Sequence, residues 1–398
     1  MLEVKPMQKI YLDNAATTPV RKEVVDAMLP YFTENFGNPS SVYQIAQINK
    51  KAIDDSREMI ANAIGAQANE IFFTSGGSEA DNWAIKGIAQ AHKTKGNHII
   101  TTKVEHHAVL HTCEYLEKNG FEVTYLDVDE YGMVRPEDVE KAIKDTTILI
   151  TIMYANNEIG TINPIKEIGA IAKAHKIAFH TDAVQAIGQL RINVKDENID
   201  LLSLSGHKIN GPKGMGVLYI RRGLKIANLI HGGAQERGRR AGTENVAGIV
   251  GLAKAMEIAY TDFDAKIEKM TKLRDKLING LLTSIPYTKL NGHPTQRLAN
   301  NSNIGVEYVE GESLLLLLDM SGICGSSGSA CTSGSLDPSH VLLAIGIPHE
   351  RAHGSIRLTL GSQNTEEEID KVLEVMPGIV QRMRDMSPLW EEVVKNNQ

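Results

Sequence analysis

The sequence has few cysteines, few aromatic residues and no long apolar run. Its 398 residues include three cysteines, Cys113, Cys324 and Cys331. Three cysteines cannot form a disulfide framework, so a reducing compartment such as the cytoplasm is expected. The densest apolar segment, Leu314–Leu318, is far shorter than the roughly 20 residues of a membrane span, and the N-terminal residues lack the apolar core of a secretory signal. Neither a membrane partner nor secretion is expected.

An excess of basic residues is also lacking. The 42 Lys and Arg against 49 Asp and Glu leave a net charge of −7, which disfavours a protein that coats nucleic acid, since such proteins need a basic face. A hydrophobic fraction of 42% and a charged fraction of 23% are typical of a folded protein. The length suits two or three packed units.

Between residues 70 and 220, short β-branched runs alternate with helix-length stretches that have apolar residues three or four apart. This pattern predicts an α/β protein with a doubly wound, mainly parallel sheet. The predicted strands are Glu70–Thr74, His98–Thr102, Glu122–Leu126, Thr147–Met153, Ile177–His180, Asp200–Leu204 and Gly216–Ile220. The predicted helices between them include Ser78–Ala91, Ala108–Lys118 and Ile165–His175.

The pattern changes near residue 255. Glu257–Leu282 is predicted to form one long amphipathic helix, followed by a polar loop at Thr288–Asn303, a few strands and two helices. We therefore expect a large α/β domain at 15–260 and a small α+β domain at 261–398, which residues 1–14 join.

Ligands of doubly wound sheets bind beyond the carboxyl ends of the strands, so we examined the residues that follow each strand. Ser75 to Asn82 contains two glycines and opens a helix, which can form an anion-binding cup. Ser78 and Asp81 also have the spacing of a capping box, so a simply well-capped helix is the alternative. The patterns of nucleotide-binding loops do not occur there.

Three polar residues follow other strands. Asp182 ends a strand, where it could hold a buried cation such as a protonated ring nitrogen or make a structural hydrogen bond. Lys208 lies in a turn between two apolar strands, an environment in which lysines form Schiff bases, although most lysines are surface residues. His106, at a helix start, could stack on a planar cofactor or move a proton.

Two further features involve metal ligands or thiols. His107 and His111 lie four residues apart on one helix face, but without a third ligand nearby a solvated face is preferred over a metal site. In loop 321–335, ten of fifteen residues are Gly or Ser, and Cys331 lies inside it. A cysteine on such a flexible loop indicates a reactive thiol that moves with the loop rather than a residue that packs in a core. Cys324 opens the loop and is expected to be buried.

Taken together, the motifs resemble those of pyridoxal-phosphate (PLP) enzymes of aminotransferase fold type I, and more narrowly those of cysteine desulfurases of the NifS/IscS class. The last third of the chain resembles the NifS branch more than the IscS branch. The matching segments run through most of the chain: Tyr11–Pro19, Phe36–Ser41, Asn156–Gly160, Ser205–Lys208, Arg240–Asn245, Ser326–Cys331 and Ser355–Leu358. Two positions depart from the family pattern, namely Ala80 in the phosphate loop and Cys324.

The resemblance implies a role for each of twelve residues. Lys208 attaches PLP covalently, Asp182 keeps its ring nitrogen protonated, and His106 stacks on the ring. Gln185 and Asn157 contact the ring substituents. Arg357 holds the substrate carboxylate, and Asn157 also binds the substrate. The phosphate is bound by Gly77, Ser78, Ser205 and His207, with Thr243 from the partner subunit of a homodimer. Cys331 takes the sulfur of L-cysteine as a persulfide, alanine leaves, and no resident metal is required.

The resemblance also implies protein partners that accept the sulfur, and it leaves alternative functions open. The sulfur would pass to an acceptor or iron–sulfur scaffold protein, with which Cys331 could transiently ligate a cluster; nitrogenase-dedicated, general and thiolation roles all fit. The alternatives are an ordinary aminotransferase, a selenocysteine lyase and a non-catalytic PLP-binding scaffold. The presence of Lys208, Asp182, Arg357 and Cys331 argues against the last.

Overall fold

The structure is a computed structural model that describes residues 9–327 and 338–388, together with Trp390, Glu391 and Lys395. The strands are β1 (Ile10–Tyr11), β2 (Ile71–Thr74), β3 (His98–Thr102), β4 (Glu122–Leu126), β5 (Thr147–Thr151), β6 (Ala178–Asp182), β7 (Leu201–Ser205), β8 (Gly216–Ile220), β9 (Thr288–Leu290), β10 (Asn301–Val306), β11 (Ile323–Cys324) and β12 (Ser355–Thr359).

Helices lie between most of these strands. They are α1 (Lys22–Met28), α2 (Pro30–Thr33), α3 (Gln44–Ala63), α4 (Gly77–His92), α5 (His107–Glu117), α6 (Pro136–Lys141), α7 (Ile165–His175), α8 (Gln235–Gly238), α9 (Val246–Tyr260), α10 (Phe263–Ser284), α11 (Gly311–Met320), α12 (His340–Ala344), α13 (His349–Ala352) and α14 (Glu366–Asp385). Ala68–Glu70 and Gly206–Lys208 form single 3₁₀ turns. Among the described helices, none combines the length and apolar composition of a membrane span.

Seven strands form the main sheet in the order β2-β8-β7-β6-β5-β3-β4, and β8 runs antiparallel to both of its neighbours. The strands β3, β4, β5, β6 and β7 are parallel. One face packs against α3, α7 and α9, and the other against α4 and α5. Burial on both faces explains the nearly continuous apolar runs of the strands. The predicted doubly wound, mainly parallel sheet is confirmed, and the predicted strand and helix bounds agree within two residues.

A second core forms around the antiparallel sheet β12-β10-β9. It takes apolar residues from α10, α11 and α14, and Ile10 and Leu12 pack with them. The N-terminal β1 pairs in parallel with β11, so residues near both ends of the chain contribute to this core. The division into two domains near residue 260 stays a prediction.

Two predictions about this second region are wrong. The long helix Glu257–Leu282 is divided, because Thr261 is extended and Asp262 has a φ of +49°. Asp tolerates this left-handed conformation better than most residues. The polar segment Thr288–Asn303 is not all loop either, since it contains β9 and the start of β10, which pair in register at Leu290 and Ile304. Their polar side chains hide the strand pattern.

Candidate active site

A cavity of about 300 Å³ lies where β3, β5, β6 and β7 end at their carboxyl edges. Parallel strands present these ends on one side of the sheet, so residues far apart in sequence meet there. Ten of the twelve residues with a predicted role line this cavity: Gly77, Ser78, His106, Asn157, Asp182, Gln185, Ser205, His207, Lys208 and Arg357.

Lys208 lies on the cavity wall, at the end of the 3₁₀ turn that follows β7. Its Nζ donates to the carbonyl oxygens of Ala15 and Ala16 at 2.6 and 2.8 Å. Gln185 Nε2 donates to the same Ala15 oxygen at 3.0 Å. The segment after β1 therefore closes the cavity with backbone acceptors, a function that its side chains did not reveal.

Asp182 is the last residue of β6 and is buried. Its Oδ1 accepts a hydrogen bond from the backbone N–H of Val184 at 2.9 Å. Burial raises the pKa of Asp182 to about 6, and the Val184 N–H and the Lys208 charge act against this rise. At neutral pH the carboxylate is therefore ionised and can pair with a cation in the cavity.

His106 caps the N-terminus of α5, where its Nδ1 accepts from the N–H of Ala108 at 3.1 Å. Burial, with a smaller contribution from the charge of Lys208, lowers the pKa of His106 to about 4. The imidazole is therefore neutral at physiological pH. A neutral, fixed ring on the cavity wall is suited to stacking on a planar group.

The start of α4 forms a cup beside the cavity, and its lining includes Gly76, Gly77, Ser78, Ser205 and His207. Gly76 has a φ of +154°, and a Cβ at Gly77 would lie 2.7 Å from Val184, so neither position accepts a side chain without strain or displacement. The cup therefore presents backbone N–H groups and hydroxyls, which suits an anion.

Two side chains brace this cup. Glu79 Oε2 accepts from the N–H of Ser75 at 2.8 Å, and both Glu79 oxygens accept from Arg240 at 2.9 and 3.0 Å. The predicted capping box of Ser78 and Asp81 is wrong. Gly76 is the N-cap residue without a side-chain bond, and Asp81 is buried and lines the cavity instead.

Arg357 on β12 reaches the cavity from the second core and is only 2% exposed. Its Nη1 donates to the carbonyl oxygen of Asn157 at 3.1 Å, and its Nη2 pairs with Asp13 Oδ1 at 3.1 Å. Its Nε has no hydrogen-bond partner within the described part of the chain. Asp13 was not identified from the sequence, since nothing indicated a counter-ion for this arginine.

Two of the predicted site residues are not in this cavity. Thr243 is exposed and lines a separate cavity of about 70 Å³ with residues such as Ser75 and Asn245. Cys331 lies outside the described residues. On the chain before it, Ser326 exchanges two backbone hydrogen bonds with Arg357, at 3.0 and 2.6 Å.

The structure also locates the other cysteine and histidine residues for which predictions were made. Cys324 is paired with Tyr11 in a two-stranded sheet and is half-buried, so the expectation of full burial is wrong. His107 and His111 do lie together, with ring centroids 4.9 Å apart, and the ring of His340 lies 4.8 Å from that of His107 at an angle of 48°. Within residues 9–327 and 338–388, however, no three potential ligands are arranged to hold a metal ion.

Comparisons with known proteins show the family to which the chain belongs. The sequence profile of class-V aminotransferases matches residues 10–372. The chain is 67% identical to cysteine desulfurase IscS of Methanosarcina thermophila, over 96% of this chain and 94% of the relative. It is 62% identical to cysteine desulfurase IscS of Clostridium botulinum, over 98% and 99% of the two chains.

Solved structures give the same result. A NifS-like protein superposes with a TM-score of 0.89 at 39% identity, covering 94% of this chain and all of that one. A structure described as SspA in complex with cysteine superposes with a TM-score of 0.80 at 39% identity, covering 90% of this chain and all of that one. Names of both branches occur among these relatives, so the assignment to the NifS branch stays a prediction.

Proposed function

The chain belongs to the class-V aminotransferase family and is a PLP-dependent cysteine desulfurase, and we propose that the residues of the cavity divide the reaction as follows. The observation that carries this proposal is the convergence of Lys208, Asp182, His106 and Arg357 on one cavity beside an anion cup. The reaction takes L-cysteine to L-alanine and a transferable sulfur.

The residues present fit PLP. A lysine amine on the wall suits the aldehyde, an ionised Asp182 suits a protonated pyridine nitrogen, and the glycine-lined start of α4 suits the phosphate. The neutral ring of His106 suits the face of the pyridine. When bound, PLP supplies the electron sink that makes the bonds of the substrate Cα and Cβ labile, while the protein supplies orientation.

Lys208 has two functions in this proposal. It attaches the cofactor covalently and, when its amine is free, it removes the proton from the substrate Cα. The carbonyl oxygens of Ala15 and Ala16 accept hydrogen bonds from Nζ and hold the amine at the cavity wall. Gln185 fixes Ala15 in turn.

Arg357 orients the substrate. Asp13 and the Asn157 carbonyl already hold two of its nitrogens, which fixes the plane of the guanidinium, and Nε remains as a donor toward a carboxylate. A charge-assisted contact of this kind is worth about 1.5–3 kcal/mol. We therefore assign the substrate carboxylate to Arg357, with Asp13 as the group that positions it.

Cys331 takes the sulfur. Its thiolate attacks the substrate Sγ, the Cβ–Sγ bond breaks, and its electrons remain with the carbon skeleton, which takes up a proton and leaves as alanine. Cys331 follows Ser326 by five residues, so chain length limits its reach from that anchor to about 17–18 Å. Because Ser326 is hydrogen-bonded to Arg357, the anchor lies beside the proposed substrate site.

We also propose a homodimer in which Thr243 completes the phosphate site of the partner subunit. Thr243 is exposed, and it does not line the cavity of its own chain. Large apolar side chains are exposed between residues 25 and 48, with Phe36 at 70% and Val42 at 92%. Such exposure favours an interface. The exposed apolar side chains in this region are Val25, Leu29, Phe32, Phe36, Val42, Tyr43, Ile45 and Ile48.

The fate of the sulfur belongs to the proposal as well. We propose that the persulfide passes to an iron–sulfur scaffold or another acceptor protein, and that the enzyme works in the cytoplasm, where a reducing environment keeps its thiols free. Two relatives carry the name IscS, which supports cluster assembly over a dedicated nitrogenase function. Cys113 and Cys324 are free thiols in the structure.

The proposal is tested by adding L-cysteine to the purified enzyme with PLP and no keto acid, then measuring alanine and the mass of each cysteine-containing peptide. We expect alanine together with one extra sulfur on Cys331. Cys331→Ser should form neither, and Cys324→Ser should keep most of both. An absolute requirement for a keto acid would indicate an aminotransferase, a strong preference for selenocysteine would indicate a lyase, and extra sulfur on Cys324 would refute the assignment of Cys331.

A further inference from the structure

A polar layer lies buried between the main sheet and α4, directly beneath the cavity. His180 on β6 is opposite Thr151 on β5, Ser203 on β7 is opposite Asp182, and Asp81 faces this layer from α4. Apart from Asp182, all of these residues are at most 1% exposed. His180 and Asp182 are two residues apart on β6, so their side chains point to the same face of the sheet.

The layer is hydrogen-bonded through His180. Its Nδ1 lies 2.8 Å from Thr151 Oγ1, and its Nε2 lies 3.0 Å from Ser203 Oγ. Burial lowers the pKa of His180 to about 3, so its ring is neutral. Ser203 also hydrogen-bonds to Asp81. Asp81 Oδ1 lies 3.6 Å from His180 Nε2, beyond a hydrogen bond, and has no hydrogen-bond partner among the described residues.

Asp81 and Asp182 both line the cavity, so two buried carboxyl groups share one small site. Two adjacent carboxylates with little access to water cannot both be ionised without a large cost, and one of them keeps a proton. Their surroundings differ. Asp182 accepts a backbone N–H at 2.9 Å and is influenced by the charge of Lys208.

Asp81 has neither of these supports. Its contacts are a serine hydroxyl and a neutral imidazole, and burial and the charge of Asp182 raise its pKa well above the usual range. Among the described residues, no cation opposes this rise. The neutral, protonated form of Asp81 therefore fits its surroundings, whereas the anion fits those of Asp182.

We propose that Asp81 holds the one proton that the two carboxyl groups share, and that it is a positioning residue which leaves Asp182 as the single anion facing the cofactor ring. A protonated Asp81 adds no second negative charge to the cavity that both side chains line. The position of the proton depends on the protein alone. Only the consequence for the cofactor rests on the proposed function.

The test compares Asp81→Asn with Asp182→Asn, both prepared without PLP, by infrared difference spectroscopy at neutral pH and then by PLP binding. An amide resembles a protonated carboxylic acid in shape and charge. We expect Asp81→Asn to lose one protonated-carboxyl band and to keep its PLP dissociation constant within about threefold. Asp182→Asn should keep that band and bind PLP at least about tenfold more weakly.

Three other results of this test are possible, and each has a different consequence for the proposal. Loss of the band in Asp182→Asn instead would place the proton on Asp182 and overturn the inference. Equal weakening of PLP binding by the two variants would show that Asp81 is charged. If Asp182→Asn bound PLP normally while the band behaved as expected, the proposed cofactor contact would fail and the location of the proton would stand.

A second variant keeps the test decisive if Asp81→Asn does not fold. Ser203→Ala removes the hydroxyl that contacts Asp81, so it should shift the frequency of the same band and leave PLP binding nearly unchanged. An unshifted band would refute the assignment to Asp81. Glu105→Gln identifies the separate band of Glu105, since burial also raises the pKa of Glu105, to about 8.

Discussion

The cavity floor and the cavity rim are built differently. The floor consists of Asp81, His106, Asp182 and Lys208, which lie on the main sheet, its turns and the first residues of its helices. The proposed rim consists of Thr243, which lies between α8 and α9 and outside this cavity, and Ser326, which follows β11 and precedes Cys331 in the chain. The sheet determines where the floor residues meet. The rim depends on tether length and, in our proposal, on a second subunit.

The floor and the rim also differ in the environment of their side chains. The pKa values of floor residues are shifted because the sheet and helices exclude water: burial lowers the pKa of His106 and raises that of Asp182. Thr243 on the rim is exposed and has no such environment. We therefore expect removal of the amine of Lys208 or the charge of Asp182 in the floor to have a strong effect, and a substitution at Thr243 to affect only binding.

The largest effect is expected for Lys208→Ala. Loss of the amine removes both covalent attachment and proton transfer, so alanine formation should fall by well over about 100-fold. After borohydride reduction, mass spectrometry should find PLP bonded to the wild type and not to the variant. Lys272→Ala is the control, because Lys272 is an exposed lysine of α10 paired with Glu268 and lines neither the cavity nor the cup. A reduced PLP adduct on Lys208→Ala would place the attachment site elsewhere.

The next effect is expected for Arg357→Ala. Loss of the carboxylate contact should raise the KM for cysteine by roughly 10- to 100-fold, while PLP occupancy measured by absorbance changes little. Arg357→Lys should recover only part of the loss, because a lysine cannot reproduce the planar fork. Arg351→Ala, which removes an exposed arginine paired with Glu307, should behave as the wild type. An unchanged KM in Arg357→Ala would move the carboxylate site.

Most residues of the floor could be predicted from the sequence because they follow strands of the main sheet. Strand ends in a doubly wound sheet must meet, so Asp182, His106 and Lys208 could be assigned to one site from strand order alone. Arg357 came from the family resemblance, because it lies on a strand of the second core and its sequence context indicates no cavity. Asp13, its counter-ion, was not found for the same reason.

Other parts of the site were misread because local patterns compete with tertiary contacts. Asp81 has the spacing of a helix cap, yet glycine occupies the cap and Asp81 is buried. His180 and Glu105 show no motif, although the two-residue spacing of His180 and Asp182 on a strand could have placed both on one face. The backbone oxygens of Ala15 and Ala16 are invisible to any argument from side chains.

A smaller effect, on PLP binding, is expected for Thr243→Val. Loss of one hydrogen bond to the phosphate should weaken PLP binding by roughly 2- to 12-fold, corresponding to about 0.5–1.5 kcal/mol. Mixed dimers of Thr243→Val with Lys208→Ala separate the two subunits. If Thr243 acts across the interface, the site that keeps Lys208 receives an intact Thr243 and binds PLP as tightly as the wild type. Weak binding at that site would show that Thr243 serves its own chain.

The smallest effect concerns stability rather than activity, at Glu105 beside the floor. Glu105 is buried and accepts hydrogen bonds from Thr102 and from the N–H of Met153. Burial raises its pKa from 4.5 to about 8. Between these two values the folded protein holds a proton that the unfolded chain releases, so this group makes the free energy of unfolding fall as pH rises.

Glu105→Gln removes that dependence, since the amide does not titrate. At pH 8 we expect the variant to melt about 2–4 °C above the wild type, and near pH 4.5 the two should coincide. The control is Glu310→Gln, because Glu310 caps α11: desolvation raises its pKa, but the hydrogen bonds from Ser313 and Glu312 and the charge of His353 together lower it below its usual value. Its contribution has the opposite sign and is lost as pH falls. If calorimetry found parallel pH profiles for the wild type and Glu105→Gln, Glu105 would be ionised in the folded protein, and the floor would carry one more negative charge than described.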